Sequence, residues 1–137
     1  MATTTDKKIT RADSNKGSAP VAASKLLPQN GMVFRDASGY ATDIIAAGAN
    51  PFLGIAECKA DNSSGANGAI DVELWQEGKF LLGFTGSTLT QADIGKKVYA
   101  TDNDVCHLTS TSRTYIGTLA EFVSATSAFV QLDVQLP

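Results

Sequence analysis

Two cysteines, one histidine and two groups of carboxylates mark where this 137-residue chain could do chemistry. A thiolate held beside an imidazole makes a nucleophilic site, and Cys106 and His107 are sequence neighbours. They fall in a strand-like stretch, Val105 to Thr109, which sends their side chains to opposite faces. Cys58 is remote in sequence, and two cysteines and one histidine without paired spacing fall short of a four-ligand zinc site. Asp102-Asn103-Asp104 offers oxygen ligands but lacks the further ligands and the terminal Glu of a calcium loop, so it reads as a turn. Asp71, Glu73 and Glu77 suggest the carboxylate pair of a glycosidase. Asp71 and Glu73, however, alternate with Ile70, Val72 and Leu74, which makes them the solvated face of a strand. The Gly-rich segments lack the phosphate-loop pattern. Neither an enzyme, a metal nor a cofactor is expected.

Trp75 extends the face of Asp71 and Glu73. With Tyr40 it offers a stacking platform for a sugar; the competing reading is packing on a sheet or a subunit neighbour, because Trp is enriched at interfaces. Cys58 and Cys106 lie in apolar or strand-like settings and are expected to be free, buried thiols. No secretory signal pattern opens the chain, so a protein made inside the cell is expected. No apolar run approaches the roughly 18 residues of a membrane span.

The net charge of −3 hides a split. Residues 1–25 carry five basic and two acidic side chains, a net of +3; residues 26–137 carry six and twelve, a net of −6. An acidic body is a poor match for phosphate backbones, which excludes nucleic acid as the expected partner. Residues 1–20 hold one sizeable apolar side chain, Ile9, among Lys7, Lys8 and Arg11, and cannot bury enough surface to offset the entropy of ordering. Two readings stand: a frayed terminus, or an arm that orders on a partner with Ile9 as anchor and the basic residues as its ionic part.

The elements that would position these residues are short. Thr90 and Asp93 have capping-box spacing, Leu89 and Ile94 are placed to staple across it, and Gly95 supplies a left-handed exit into a strand from Lys97 to Ala100. Met32–Arg35 and Tyr40–Asp43 flank the hairpin signal Asp36-Ala37-Ser38-Gly39. Further strands are expected at 52–58, 70–75, 79–84, 105–109, 114–122 and 129–136, with a loop at 61–68 and one helical turn at 44–49. In the last strand Val130, Leu132, Val134 and Leu136 share one face. Phe52-Leu53-Gly54-Ile55-Ala56 and Tyr115-Ile116-Gly117-Thr118-Leu119 echo each other, each with a Gly where a bulge or close backbone approach belongs. Eight or nine short strands without a long amphipathic helix predict an all-β fold: a compact barrel or sandwich of residues 21–137 with an extended N-terminal arm over 1–20.

The succession of a Gly-led hairpin (Gly31 to Tyr40), a Phe-Leu-Gly-Ile-Ala strand at 52–56, a Gly-Ala-Asn-Gly loop at 65–68, Ala92-Asp93-Ile94-Gly95 before Val98-Tyr99-Ala100, and Ile116-Gly117-Thr118 resembles the small head-decoration, or capsid-cement, proteins of tailed bacteriophages. The likeness spans roughly residues 20–136. It implies a virion protein made in the host cytoplasm that sits, commonly as a homotrimer, on the outer surface of the capsid and contacts the major capsid protein. It also implies that the arm, with Lys7, Lys8, Ile9 and Arg11, reaches onto neighbouring capsid subunits, and it leaves Tyr40 and Trp75 to an oligomer or partner surface. No catalytic residues, membrane contact or nucleic-acid contact come with it. The alternative function is a carbohydrate-binding β-module using Tyr40 or Trp75, and a third is a small hydrolase using Asp71 and Glu73.

Overall fold

Alternation of buried and less buried side chains, the period of a half-buried strand, marks Asp71–Trp75 and Ser127–Leu132, whereas Met32–Arg35 and Phe52–Ala56 are buried almost throughout. The computed structural model describes residues 16–86 and 88–134. In chain order the strands are β1 (Lys16–Pro20), β2 (Lys25–Leu27), β3 (Met32–Arg35), β4 (Ala41–Thr42), β5 (Phe52–Ala56), β6 (Ala60–Asn62), β7 (Asp71–Trp75), β8 (Lys79–Phe84), β9 (Lys97–Ala100), β10 (Val105–His107), β11 (Thr114–Ser124) and β12 (Ser127–Leu132). Two 3₁₀ turns, Ala46–Gly48 and Gln91–Asp93, are the helical elements of the described residues. The fold is all-β, and among the described residues no helix is long and apolar enough to cross a membrane.

Strands β10-β8-β12-β11-β9 form a closed barrel, antiparallel except where β10 runs parallel to β8. Its interior is filled by Phe84, Val98, Ala100, Cys106, Ile116, Leu119, Ala128, Val130 and Leu132. The second sheet has the order β1-β7-β5-β3-β4. Its two ends approach each other where Val21, just past β1, bridges Ala41 of β4 and the Ala22 N–H donates to the Ala41 carbonyl at 2.9 Å. A two-stranded ribbon of β2 and β6 has its own ladder and packs Leu27 and Ala60 against the second sheet.

The sheet is buried on both faces at its centre. Met32, Phe34, Phe52 and Ile55 join the barrel's apolar cluster, whereas Val33 and Ala56 face a second cluster with Val21, Leu27, Ala41, Ala60, Val72 and Leu74. Phe34 and Phe52 meet with ring centroids 6.0 Å apart and planes tilted by 56°. Burying each large aliphatic or aromatic side chain contributes about 1.5–3 kcal/mol, so these two clusters dominate stability.

The two echoing glycines both sit at bulges. Opposite Gly54 the register slips between Val33 and Phe34, and opposite Gly117 it slips between Tyr115 and Gly117. A Cβ on Gly54 would strike the Trp75 carbonyl oxygen, and φ there is +147°; a Cβ on Gly117 would strike the Gln131 carbonyl oxygen. Each strand thus bends where a neighbouring backbone passes too closely for any side chain.

The sequence-based outline needs four amendments. Lys16–Pro20, placed in the arm, is an edge strand in full register with β7, Lys16 opposite Trp75 and Pro20 opposite Asp71. Its side chains are small, and it is held by the backbone ladder, which composition does not register. Twelve strands replace eight or nine, adding β1, β2 and β6; the last two have three residues each, too few to show periodicity, and β6 overlaps the start of the expected loop at 61–68. Strand β12 stops at Leu132; Leu136 lies outside the described residues. Leu89 is buried in the barrel cluster, but Ile94 is 42% exposed, so the two do not staple. Ile94 has already left helical geometry (φ −56°, ψ 132°), which turns its side chain outward.

The capping interaction does form. The Asp93 carboxylate accepts the Thr90 N–H at 2.8 Å, and the Lys96 ammonium lies 2.8 Å from its other oxygen. Lys96 first, then the Thr90 N–H, holds the Asp93 carboxyl below the usual value of 3.8. A depressed carboxyl contributes stability that is complete above its unfolded value and lost as pH falls through its native one. Asp93→Asn is therefore expected to lower the thermal midpoint at pH 7, with the gap to wild type closing as pH drops below 3.8. Gly54→Ala and Gly117→Ala should each cost at least ~2 kcal/mol in urea unfolding. Gly83→Ala, at an outward site with open space around the new methyl, should stay within about 0.5 kcal/mol of wild type.

Candidate functional site

Lys7, Lys8, Ile9 and Arg11 lie outside the described residues. Of the residues assigned to a partner surface, Trp75 is half-buried and closes one end of β1: the Lys16 ammonium stands 4.3 Å from its ring centroid and 3.1 Å from the Glu57 carboxylate. Tyr40 is also half-buried and packs beside Gly68 and the Pro20 end of β1. The two aromatics sit at opposite ends of a five-residue strand, on the order of 13 Å apart along it. They do not form one platform, and the ring of Trp75 is already covered by a cation.

Asp71 and Glu73 are exposed while Val72 and Leu74 between them are buried, the solvated face that the alternation predicts. Asp102–Asp104 makes the β9–β10 turn, where the Thr101 N–H donates to the Val105 carbonyl at 2.9 Å. From this turn the Asn103 carbonyl accepts the Met32 N–H at 2.7 Å, tying barrel to sheet. Cys106 is fully buried, and burial, with Asp104 adding to it, pushes its thiol up to about 12. His107 faces the other way, and its Nδ1 accepts the Thr109 N–H at 3.0 Å. Cys58, expected to be buried, is exposed, because β5 ends at Ala56 and the chain turns outward there.

What the fold does bring together is a row of aromatic side chains on the barrel's outer face. His107 of β10 is opposite Tyr99 of β9, which is opposite Tyr115 of β11. The Tyr99 and Tyr115 rings meet edge-on, centroids 6.0 Å apart. The Tyr115 hydroxyl donates to the Asp133 carboxylate at 2.8 Å, and Lys97 stands 5.8 Å from the Tyr115 ring centroid. Burial, then this bond to Asp133, pushes the Tyr115 phenol up to about 12.

Beside Tyr115 opens a cleft of about 190 Å³ lined by Gly48, Pro51, Phe52, Arg113, Thr114 and Tyr115. Its Gly48 belongs to a tight turn in which Ala46, Ala47 and Gly48 all have positive φ (51°, 53° and 94°), a conformation costing of order 1 kcal/mol or more at each alanine. Gly48 is required because a Cβ there would lie 2.8 Å from the Arg113 carbonyl oxygen. Arg113 also lines the cleft; its Nε donates to Thr101 Oγ1 at 2.9 Å, and its Nη1 donates to the Thr109 carbonyl at 3.2 Å and the Thr111 carbonyl at 3.4 Å. The ion pairs among the described residues join Lys16 to Glu57, Lys25 to Asp43 and Lys96 to Asp93, and leave Arg113 without an acidic partner. Sequence reasoning missed this site. Its one local signal was an Arg closing the polar run Thr109–Arg113 ahead of a strand, and the rest comes from tertiary packing.

The cleft brings Arg113, Phe52 and Tyr115 together with the backbone at Gly48 and Thr114, and neither thiol lines it. In the native protein one thiol, Cys58, is expected to react with an aromatic disulfide reagent within minutes. Cys106 should react only under denaturant; two fast thiols would contradict the described core.

No family model, curated protein or solved structure matches this chain.

Proposed function

We propose that the chain is a virion structural protein that binds the outside of an assembled phage head and stabilises the shell by bridging major capsid subunits, acting as a homotrimer. The observation that carries this reading is the anchored start of the β domain. Lys16, the first described residue, is fixed by Glu57 and Trp75 at the edge of the second sheet. Residues 1–15, which precede it, carry three basic and two acidic side chains, a net of +1, against a net of −4 for residues 16–137, so a weakly basic segment joins an acidic domain at one defined point. Lys7, Lys8 and Arg11 would meet acidic groups of the shell and Ile9 an apolar seat.

The mechanism is mass action. A protein that binds only the assembled shell stabilises it by its binding free energy, and many copies act together. The closed barrel suits an exposed coat, because closure removes the strand edges that template aggregation. On β1, the edge strand, Lys16 and Pro20 stand at the two ends, both of them residues that discourage further pairing.

Deletion of residues 2–15, which spares Lys16, is the test. The melting curve should be unchanged within about 2 °C, while affinity for purified heads falls by at least ~10-fold, or 1.4 kcal/mol. Full-length binding should weaken as salt rises. Equal binding by the truncated and full chains across a salt series would refute the arm's role, and a monomeric copy in the bound state would refute the trimer.

A further inference from the structure

We propose that the outer face of the barrel at Leu81, Phe129 and Val123 is a seat for this chain's own residues 2–15, with Ile9 as the side chain that fills it. Phe80, Leu82, Ala128 and Val130 pack into the barrel cluster, so Leu81 and Phe129, which alternate with them, point outward. Leu81 of β8 stands directly opposite Phe129 of β12 and is 54% exposed. On the next strand, β11, Val123 lies in the irregularity between Phe122 and Ser124 and is 47% exposed. Gly83, two residues beyond Leu81, has open space where a side chain would stand, which leaves a depression beside the apolar group.

The occupant follows from where the described chain begins. Strand β1 is antiparallel to β7 with Lys16 opposite Trp75, so the residues before Lys16 arrive from the end of the sheet at which β7 passes into β8. Leu81 is six residues beyond Trp75, at most about 20 Å of chain, and the bend at Gln76–Gly78 shortens that span. Ile9 is seven residues before Lys16, a stretch that reaches about 23 Å when extended. It is the one sizeable apolar side chain among residues 2–15, and the seat lies within its reach. The covalent tether presents it at roughly millimolar effective concentration, an advantage that the Ile9 of a second copy lacks.

Glu77, on the path from Lys16, and Glu121, opposite Phe129, are exposed and take part in none of the ion pairs among the described residues. Lys7, Lys8 and Arg11 flank Ile9 and suit both. Lys79, two residues before Leu81, opposes them, so the apolar contact carries the docking. The intervening residues serve as a tether, whose closure cost rises only with the logarithm of its length. That cost offsets most of what burying one isoleucine contributes, so the docked segment adds little to the melting temperature and stays available to a partner. Exchange of this seat for one on a shell rests on the function proposed above; the docking itself does not.

The test is NMR of the free full chain with no heads present, which keeps its outcome separate from that of shell binding. Nuclear Overhauser contacts are expected from the Ile9 methyls to the methyls of Leu81 and Val123 and to the Phe129 ring. Deleting residues 2–15 should shift the resonances of Leu81, Gly83, Val123 and Phe129, and Ile9→Asp should reproduce those shifts. Leu81→Ser, at an exposed site, should remove the Ile9 contacts and leave the barrel-core resonances in place. An equal mixture of labelled and unlabelled chains separates contacts within one chain from contacts between two. The proposal is overturned if the Ile9 methyls touch nothing on the barrel, if the deletion shifts only residues next to Lys16, if Leu81→Ser leaves the contacts intact, or if they run between chains.

Discussion

The passage of one backbone against another at Gly54 and Gly117 is the constraint on which both halves of this molecule rest. At each glycine a neighbouring carbonyl occupies the space a Cβ would need, and at each the strand carries an extra, unpaired residue. Bulges increase local twist and bend the strand that holds them. In the barrel the bend lets β11 pair with β12 on one side and β9 on the other. In the sheet it lets β5 serve two apolar clusters at once. The resemblance between the two segments is therefore a shared solution to one steric problem.

How far the sequence disclosed this depended on how strongly each element advertises itself. Strand β7 was legible because Val72 and Leu74 alternate with Asp71 and Glu73, and only one face of it is buried. The capping carboxylate of Asp93 was legible because its spacing from Thr90 is local. Strand β1 was not, since Lys16-Gly17-Ser18-Ala19-Pro20 owes its place to hydrogen bonds offered by β7, a partner more than 50 residues away. The outward turn of Ile94 and the exposure of Cys58 likewise depend on where a strand stops, which apolar content alone does not fix.

The cleft was hidden for a related reason. Gly48 and Arg113 are more than 60 residues apart and meet only where the β4–β5 turn packs on the start of β11. Tyr40 and Trp75, the aromatics that stand out in the sequence, turn out to seal the two ends of β1. Aromatic content identifies which residues can recognise a ligand, but topology decides which of them remain free to do so. Here Tyr115 lies on β11 of the barrel with Arg113 just before it, whereas the proposed capsid-binding segment enters through the other sheet.

The division of β3 between two cores has a consequence for folding fidelity. Met32 and Phe34 belong to one cluster and Val33 to the other, so sliding this strand by a single position would empty both at once. A strand buried on one face can mispair and lose one set of contacts; this one loses two. Its three central residues act as a proofreading element that rejects near-native pairings and makes the barrel and the sheet accept or refuse their alignment together.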